Sequence, residues 1–207
     1  MNIDPLLAYW FGDADRDVVT LDGLNRSLGL WFGERPETDD CIRSTFALEL
    51  AGADSPALDS LGSTARGTLA LIVLLDQFPR NVYRGSARAF ASDGRALDLM
   101  EAGLAAGFDR QLNVAQRIVF YLPLMHGETR ALADRSVAHY SRLHDEAPAE
   151  LHPALARVRD SADRHHRLVA LFGRYPHRNA FVGRPTTPEE EEFMTQPDSS
   201  YHPKQRA

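Results

Sequence analysis

The chain has 207 residues, 43% of them hydrophobic and 25% charged, with one cysteine and a formal net charge of −6. Those values describe a globular protein of one large or two small domains and exclude wholesale disorder, a collagen-like fibre and a disulfide-stapled miniprotein. Cys41 alone makes neither an intramolecular disulfide nor a structural zinc site, and the acidic balance gives nucleic acid no footing. Lys204 is the only lysine among 23 basic residues. A genome-wide codon bias accounts for that as well as selection for bidentate anion binding does.

Residues 1–11 carry Asp4 and Pro5 where a signal peptide needs a basic region and a long apolar core. The longest apolar run, residues 69–75, is far shorter than the ~20 residues that cross a bilayer. The expectation is a cytoplasmic protein without membrane contact.

Helical punctuation recurs along the chain. Asp4-Pro5 reads as a helix start and Gly12 as its end. Thr38 or Asp39 opens a helix that places Ile42, Phe46 and Leu50 on one face and ends at Gly52. Ser55-Pro56 repeats the start signal, and a strongly apolar helix then runs over about 65–78 and stops at Pro79. Ser86 or Asp93 starts the next, with Phe90, Leu97, Met100 and Leu104 inward and Gly107 as terminator. Asn113 caps a helix over 114–122 that ends at Pro123. Residues 128–144 carry Leu132, Val137, Tyr140 and Leu143 at helical spacing. The clearest helix covers 153–172, where Leu155, Val158, Ala162, His165, Val169 and Phe172 form a sustained seam. Thr187-Pro188-Glu189-Glu190 is a capping box opening a short acidic helix. Strand signals are thin, since Gly, Pro and Asp fall where helices end. The reading is an all-α protein of eight to ten helices, one domain over 1–196 with a poorly ordered tail over 197–207.

Two segments echo each other. Phe78-Pro79-Arg80-Asn81 and Tyr175-Pro176-His177-Arg178-Asn179 both follow an apolar helix with aromatic-Pro and then present Arg-Asn. Each arginine either caps orphan carbonyls at a helix end or aims its planar fork at a carboxylate or phosphate. His165 sits on an apolar seam, where a bond to a backbone carbonyl is the usual explanation, while His166 faces solvent. Pro123 and Gly127 bracket a corner that brings His126 and Glu128 to the start of the following helix, where the macrodipole favours a carboxylate. His126, Glu128, His165, His177 and Asp76 supply ligand types for a metal, but no pair has the H-E-x-x-H spacing. No phosphate-binding glycine loop and no G-x-S-x-G elbow occurs. The expectation is no metal and no cofactor.

LALIVLLDQFPRNVYRGSARAFASD, FYLPLMHGE and LFGRYPHRNAFVGRPTTPEEEEF resemble, in order and spacing, the signature blocks of the bacterial family called domain of unknown function 924, over roughly residues 6–197. The resemblance implies a tetratricopeptide-repeat-like helical superhelix, although no 34-residue repeat is legible. It puts weight on Asp76, Gln77, Arg80, Asn81, His126, Glu128, His165, Arg174, His177, Arg178 and Asn179. The chain departs in having Gly127 where serine is usual and Tyr175 where phenylalanine is usual, and it lacks a tryptophan near Leu61. The family brings no activity with it, and a fold does not supply one.

The expected function is binding, with or without turnover, of a small anionic molecule. Asp76, Gln77, Arg80, Asn81, Glu128, His165, Arg174, Arg178 and Asn179 would line the site, with His126 and His177 as acid–base groups. The alternative is a protein-interaction scaffold holding a peptide, in which the same polar residues form a structural network.

Overall fold

The most apolar stretch of the sequence forms the centre of the fold. A helix that is hydrophobic all round must be covered on every side, and residues 69–75 are completely buried. They belong to α5 (Ala65–Ile72) and to the π-helical turn Val73–Gln77 that follows it. The computed structural model describes residues 1–15, 18–33, 35–53 and 55–196. The expected tail over 197–207 lies outside them. The described residues are all-α and contain no strand.

The segments around this rod are α1 (Asp4–Phe11), α2 (Leu21–Trp31), α3 (Pro36–Thr45), α4 (Ala47–Ala51), α6 (Phe78–Val82) and α7 (Asp93–Ala105). The chain continues through α8 (Val114–Phe120), α9 (Leu122–His126), α10 (Arg130–Glu146), α11 (His152–Phe172) and α12 (Pro188–Thr195), with short 3-10 turns between. These twelve segments exceed the expected eight to ten. One reason is α2, whose start signal is Thr20 accepting from the Gly23 N–H (3.1 Å). Gly23 and Gly29 dilute its helical pattern, yet Leu24, Leu28 and Trp31 pack inward. A second reason is a break at Phe46, which leaves the helical region and splits one expected helix into α3 and α4.

Two prolines act differently from expectation. Pro79 does not stop the rod. The Phe78 N–H donates to the Val73 carbonyl, five residues back, and α6 carries on with Pro79 in its first turn. A proline there lacks only an N–H that a new helical start leaves unused, and the wide π turn absorbs the slip in register. Pro123 likewise opens α9 instead of ending α8, the break falling at Tyr121. Gly173, in the left-handed conformation (φ 68°), ends α11 ahead of Pro176. Arg80-Asn81 therefore lies on a helix, whereas Arg178 closes a 3-10 turn, Pro176–Arg178.

Rings seal one end of the rod. Phe78 packs on Trp10 (5.4 Å between centroids) and on Phe46 (5.0 Å), and Trp31 Nε1–H donates to the Trp10 carbonyl (2.7 Å). α5 lies against α7 and α8, and α10 and α11 pair along their lengths. A smaller apolar cluster of Ala133, Leu168, Val169 and Tyr175, with Phe172 and Phe193 beside it, ties α11 to α12. No helix of the described residues is long and apolar enough to cross a membrane.

Close packing sets one sharp test at the start of α5. A Cβ at Gly67 would lie 2.0 Å from the Leu61 carbonyl oxygen, a backbone atom that cannot step aside. Gly67→Ala is expected to cost roughly 2–3 kcal/mol, lowering Tm by roughly 4–12 °C. An unchanged thermal melt would contradict this packing.

Candidate functional site

The π turn delivers Asp76 to the interior, where its carboxylate is fully buried. An ionised carboxylate persists there only with charged partners. Asp76 has one in Arg80, whose Nη1 lies 3.1 Å from Oδ1, and it accepts a further hydrogen bond from His126 Nδ1 at 2.7 Å from the same oxygen. Gln77 Nε2 donates to the other oxygen. Burial opposes ionisation, but Arg80 and His126 overrule it and hold the carboxyl well below the usual carboxylate range. Arg80 also donates to the Asp76 carbonyl (2.7 Å) and grips Asp93, at the start of α7, with two bonds of 2.8 Å. His126, the last residue of α9, is pushed toward the neutral form by burial and then by Arg80, against the pull of Asp76. Its Nδ1–H points at a carboxylate, so Nε2 is the unprotonated nitrogen of the neutral ring.

A second arginine completes the arrangement. Arg178 lies over Phe90 (4.6 Å to the ring centroid) and over Tyr175 (4.6 Å), while Arg80 approaches Phe90 at 5.5 Å. Its side chain is 9% exposed. The nearest carboxylates are Asp93 at 3.5 Å and Glu128 at 3.9 Å, beyond hydrogen-bond length. Both are committed elsewhere, Asp93 to Arg80 and Glu128 to Arg184 and the Tyr175 N–H. Arg178 Nε is buried without a hydrogen-bond partner. Burial and the neighbouring Arg80 guanidinium lower its pKa.

Histidines close the circuit. The His126 ring stands 6.5 Å from that of His165, His165 5.5 Å from Tyr175, and Tyr175 5.6 Å from His177. His165 Nδ1–H donates to the Ser161 carbonyl (2.8 Å), the bond expected of a seam histidine. The Tyr175 hydroxyl donates to the Met125 carbonyl. His126, His165 and His177 are only partly buried, so solvent still reaches them.

The structure therefore brings together Asp76, Gln77, Arg80, His126, Glu128, His165, His177 and Arg178. It places three expected residues outside this ring. Arg174 forms a bidentate pair with Glu190 (2.6 and 2.9 Å), and Asn179 donates to the same carboxylate (3.0 Å). Asn81 links the Gln77 carbonyl to Arg84, and Arg84 to Asp39. Glu128 precedes the Thr129 cap of α10 and works as a clamp for Arg184, not as a first-turn carboxylate. Asp93, Phe90, Tyr175 and Arg184 were missed as site residues. Asp93 read only as a helix start, and nothing in the spacing of Arg184 distinguishes it from a loop cation. Among the described residues, no group of three or more His, Cys, Asp or Glu side chains could hold a metal ion.

Burial makes the histidines a source of pH dependence. It lowers His165 to about 3, and, helped by Arg178, lowers His177 to about 4. Both values lie below the ordinary imidazole value near 6.5. Below that pH the unfolded chain takes up protons that the folded chain refuses, so stability is complete above about pH 6.5 and falls toward pH 4. The loss by pH 5 is roughly 2 kcal/mol for each histidine. Urea unfolding at pH 7 and pH 5 checks this: His165→Gln should narrow the gap, and a variant with the wild-type gap would contradict the assignment.

Comparison with known proteins agrees with this placement in the all-α class. A solved structure, that of a protein of unknown function from Agrobacterium tumefaciens, is 33% identical and superposes with a TM-score of 0.69, covering 80% of this chain and 88% of that one. No curated protein matches. The family described as bacterial protein of unknown function (DUF924) matches residues 6–198, nearly the whole length, and the chain belongs to it.

Proposed function

We propose that the chain binds a small anion, a carboxylate or a phosphate, in a crevice between Arg178 and His126. The observation that carries this reading is the buried Arg178 guanidinium, whose Nε has no partner and whose neighbouring carboxylates are held by other arginines. A desolvated cation in that condition is costly, and an entering anion would supply the missing hydrogen bonds. Arg80 stands behind it and adds positive potential, while Asp93 keeps Arg80 in place. His126 is the acid–base group of this reading. Asp76 orients its ring by accepting from Nδ1, which leaves the Nε2 lone pair to accept a proton from a bound molecule. Arg174 and Asn81 are structural ties in this account, since each is satisfied by the protein itself, and Asn179 is tied to Glu190 through its amide nitrogen.

The alternative, a tetratricopeptide-type scaffold with the whole polar set as internal bracing, draws support from those satisfied residues. The two readings differ at Arg178. With phosphate or succinate at about a hundred times Kd, mass action raises wild-type stability by about 2.7 kcal/mol, a Tm increase of roughly 5–10 °C. Arg178→Gln is expected to remove the larger part of that increase and to change the anion-free protein by less than ~1 kcal/mol. Bracing predicts a wild type indifferent to every anion and a loss of about 1–3 kcal/mol in the variant. Thermal melts of the two proteins with and without each anion decide between them.

A further inference from the structure

A second feature lies where α7, α8 and α10 meet. A cleft of about 810 Å³ opens there, lined by residues of all three helices and of the 3-10 turn Phe108–Gln111. None of the site residues above lines it. The volume is that of a pocket for a whole small molecule, larger than a single anion needs.

Its charges are unevenly spent. Each carboxylate at the cleft has a partner. Glu101 is clamped by both Nη atoms of Arg135, Glu146 accepts from Arg117 (3.0 Å), and Asp109 accepts the Tyr121 hydroxyl (2.9 Å). Arg110 and Arg142 line the same cleft and form no ion pair with any described residue. The chain as a whole carries −6, so two uncommitted guanidinium groups facing one concavity stand against the general charge.

A ring is also present. His139 lines the cleft, and Tyr121 backs it at 4.6 Å between centroids, the rings tilted by 39°. Burial lowers the pKa of His139, and Arg142, Arg135 and Arg117 lower it further against the opposing pull of Asp109. Positive potential therefore prevails at the ring although Glu101 and Glu146 stand close by. Neutral at pH 7, His139 offers a flat apolar face instead of a third charge.

We infer that this cleft is a second ligand site, taking a small molecule with a phosphate or carboxylate end held by Arg110 and Arg142 and a planar body against His139. Leu104 and Ala105 give that body an apolar wall. The site is independent of the Arg178 crevice and stands or falls separately.

Histidine NMR titration reads the site directly. An anion beside Arg142 offsets the cations that hold His139 down, so its titration midpoint should move to higher pH, by ~0.5 unit for one added negative charge. The probes are inorganic phosphate, succinate and AMP, each against sodium chloride at matched ionic strength. A shift with phosphate and AMP but not succinate assigns a phosphate end, and the converse assigns a carboxylate. A stronger response to AMP than to phosphate assigns the planar body. Arg142→Gln, an exposed substitution, should raise the His139 midpoint in anion-free protein and remove the response to anions. The same variant should retain the Arg178-dependent rise in Tm. The inference is overturned if His139 ignores all three probes, or if chloride and the probes move it equally. It is equally overturned if the anion response survives in Arg142→Gln.

Discussion

The buried carboxylate of Asp76 is the constraint on which the rest of this arrangement depends. It can stay ionised at the centre of the fold only while Arg80 and His126 face it. Arg80 is shared with Asp93, which fixes the start of α7 against α6, and His126 fixes the end of α9. Removing one partner of such a set leaves an uncompensated interior charge, a loss of about 3–5 kcal/mol. Segments α6 and α9 are thereby tied to one carboxylate, with α7 joined to it through Arg80, and the π turn is the local distortion that carries that carboxylate.

Beyond this core the polar groups divide by how far the protein itself satisfies them. Glu190 takes Arg174, Asn179 and its own capping bonds to Thr187, so the Arg174–Glu190 end is closed. Arg178 differs from Arg174, because its two nearest acids already hold other guanidinium groups. The α8–α9 segment connects both regions of interest: Tyr121 backs His139 in the cleft, and His126 at the end of α9 belongs to the crevice. A substitution in this segment would be felt in both places.

Much of the fold was legible in the sequence because it rests on local rules. The cap at Asn113 and the capping box at Thr187, the glycine ends at Gly12 and Gly107, and the apolar seam of α11 all act within a few residues. Pro79 misled because a π turn, invisible to three- and four-residue periodicity, relieves the clash that normally ends a helix. The site was legible only in part. Residue type marked Asp76, Arg80, His126 and Arg178 as chemically capable. Which guanidinium would be spent on which carboxylate is set by contacts across 13 residues for Arg80–Asp93 and 56 for Glu128–Arg184. The same limit hid the separation of Arg174 and Asn179 from the ring, since Glu190 looked only like a helix cap.

The central claim is that Asp76 is ionised and fixes the proton of His126 on Nδ1, while burial and Arg80 keep the ring neutral against the pull of that carboxylate. Long-range nitrogen-15 NMR of the histidine side chains at pH 7 tests it most directly. The account requires a His126 signal with a protonated Nδ1 and an unprotonated Nε2, collapsing to an averaged pattern in Asp76→Asn. A doubly protonated His126, or one carrying its proton on Nε2, would contradict it.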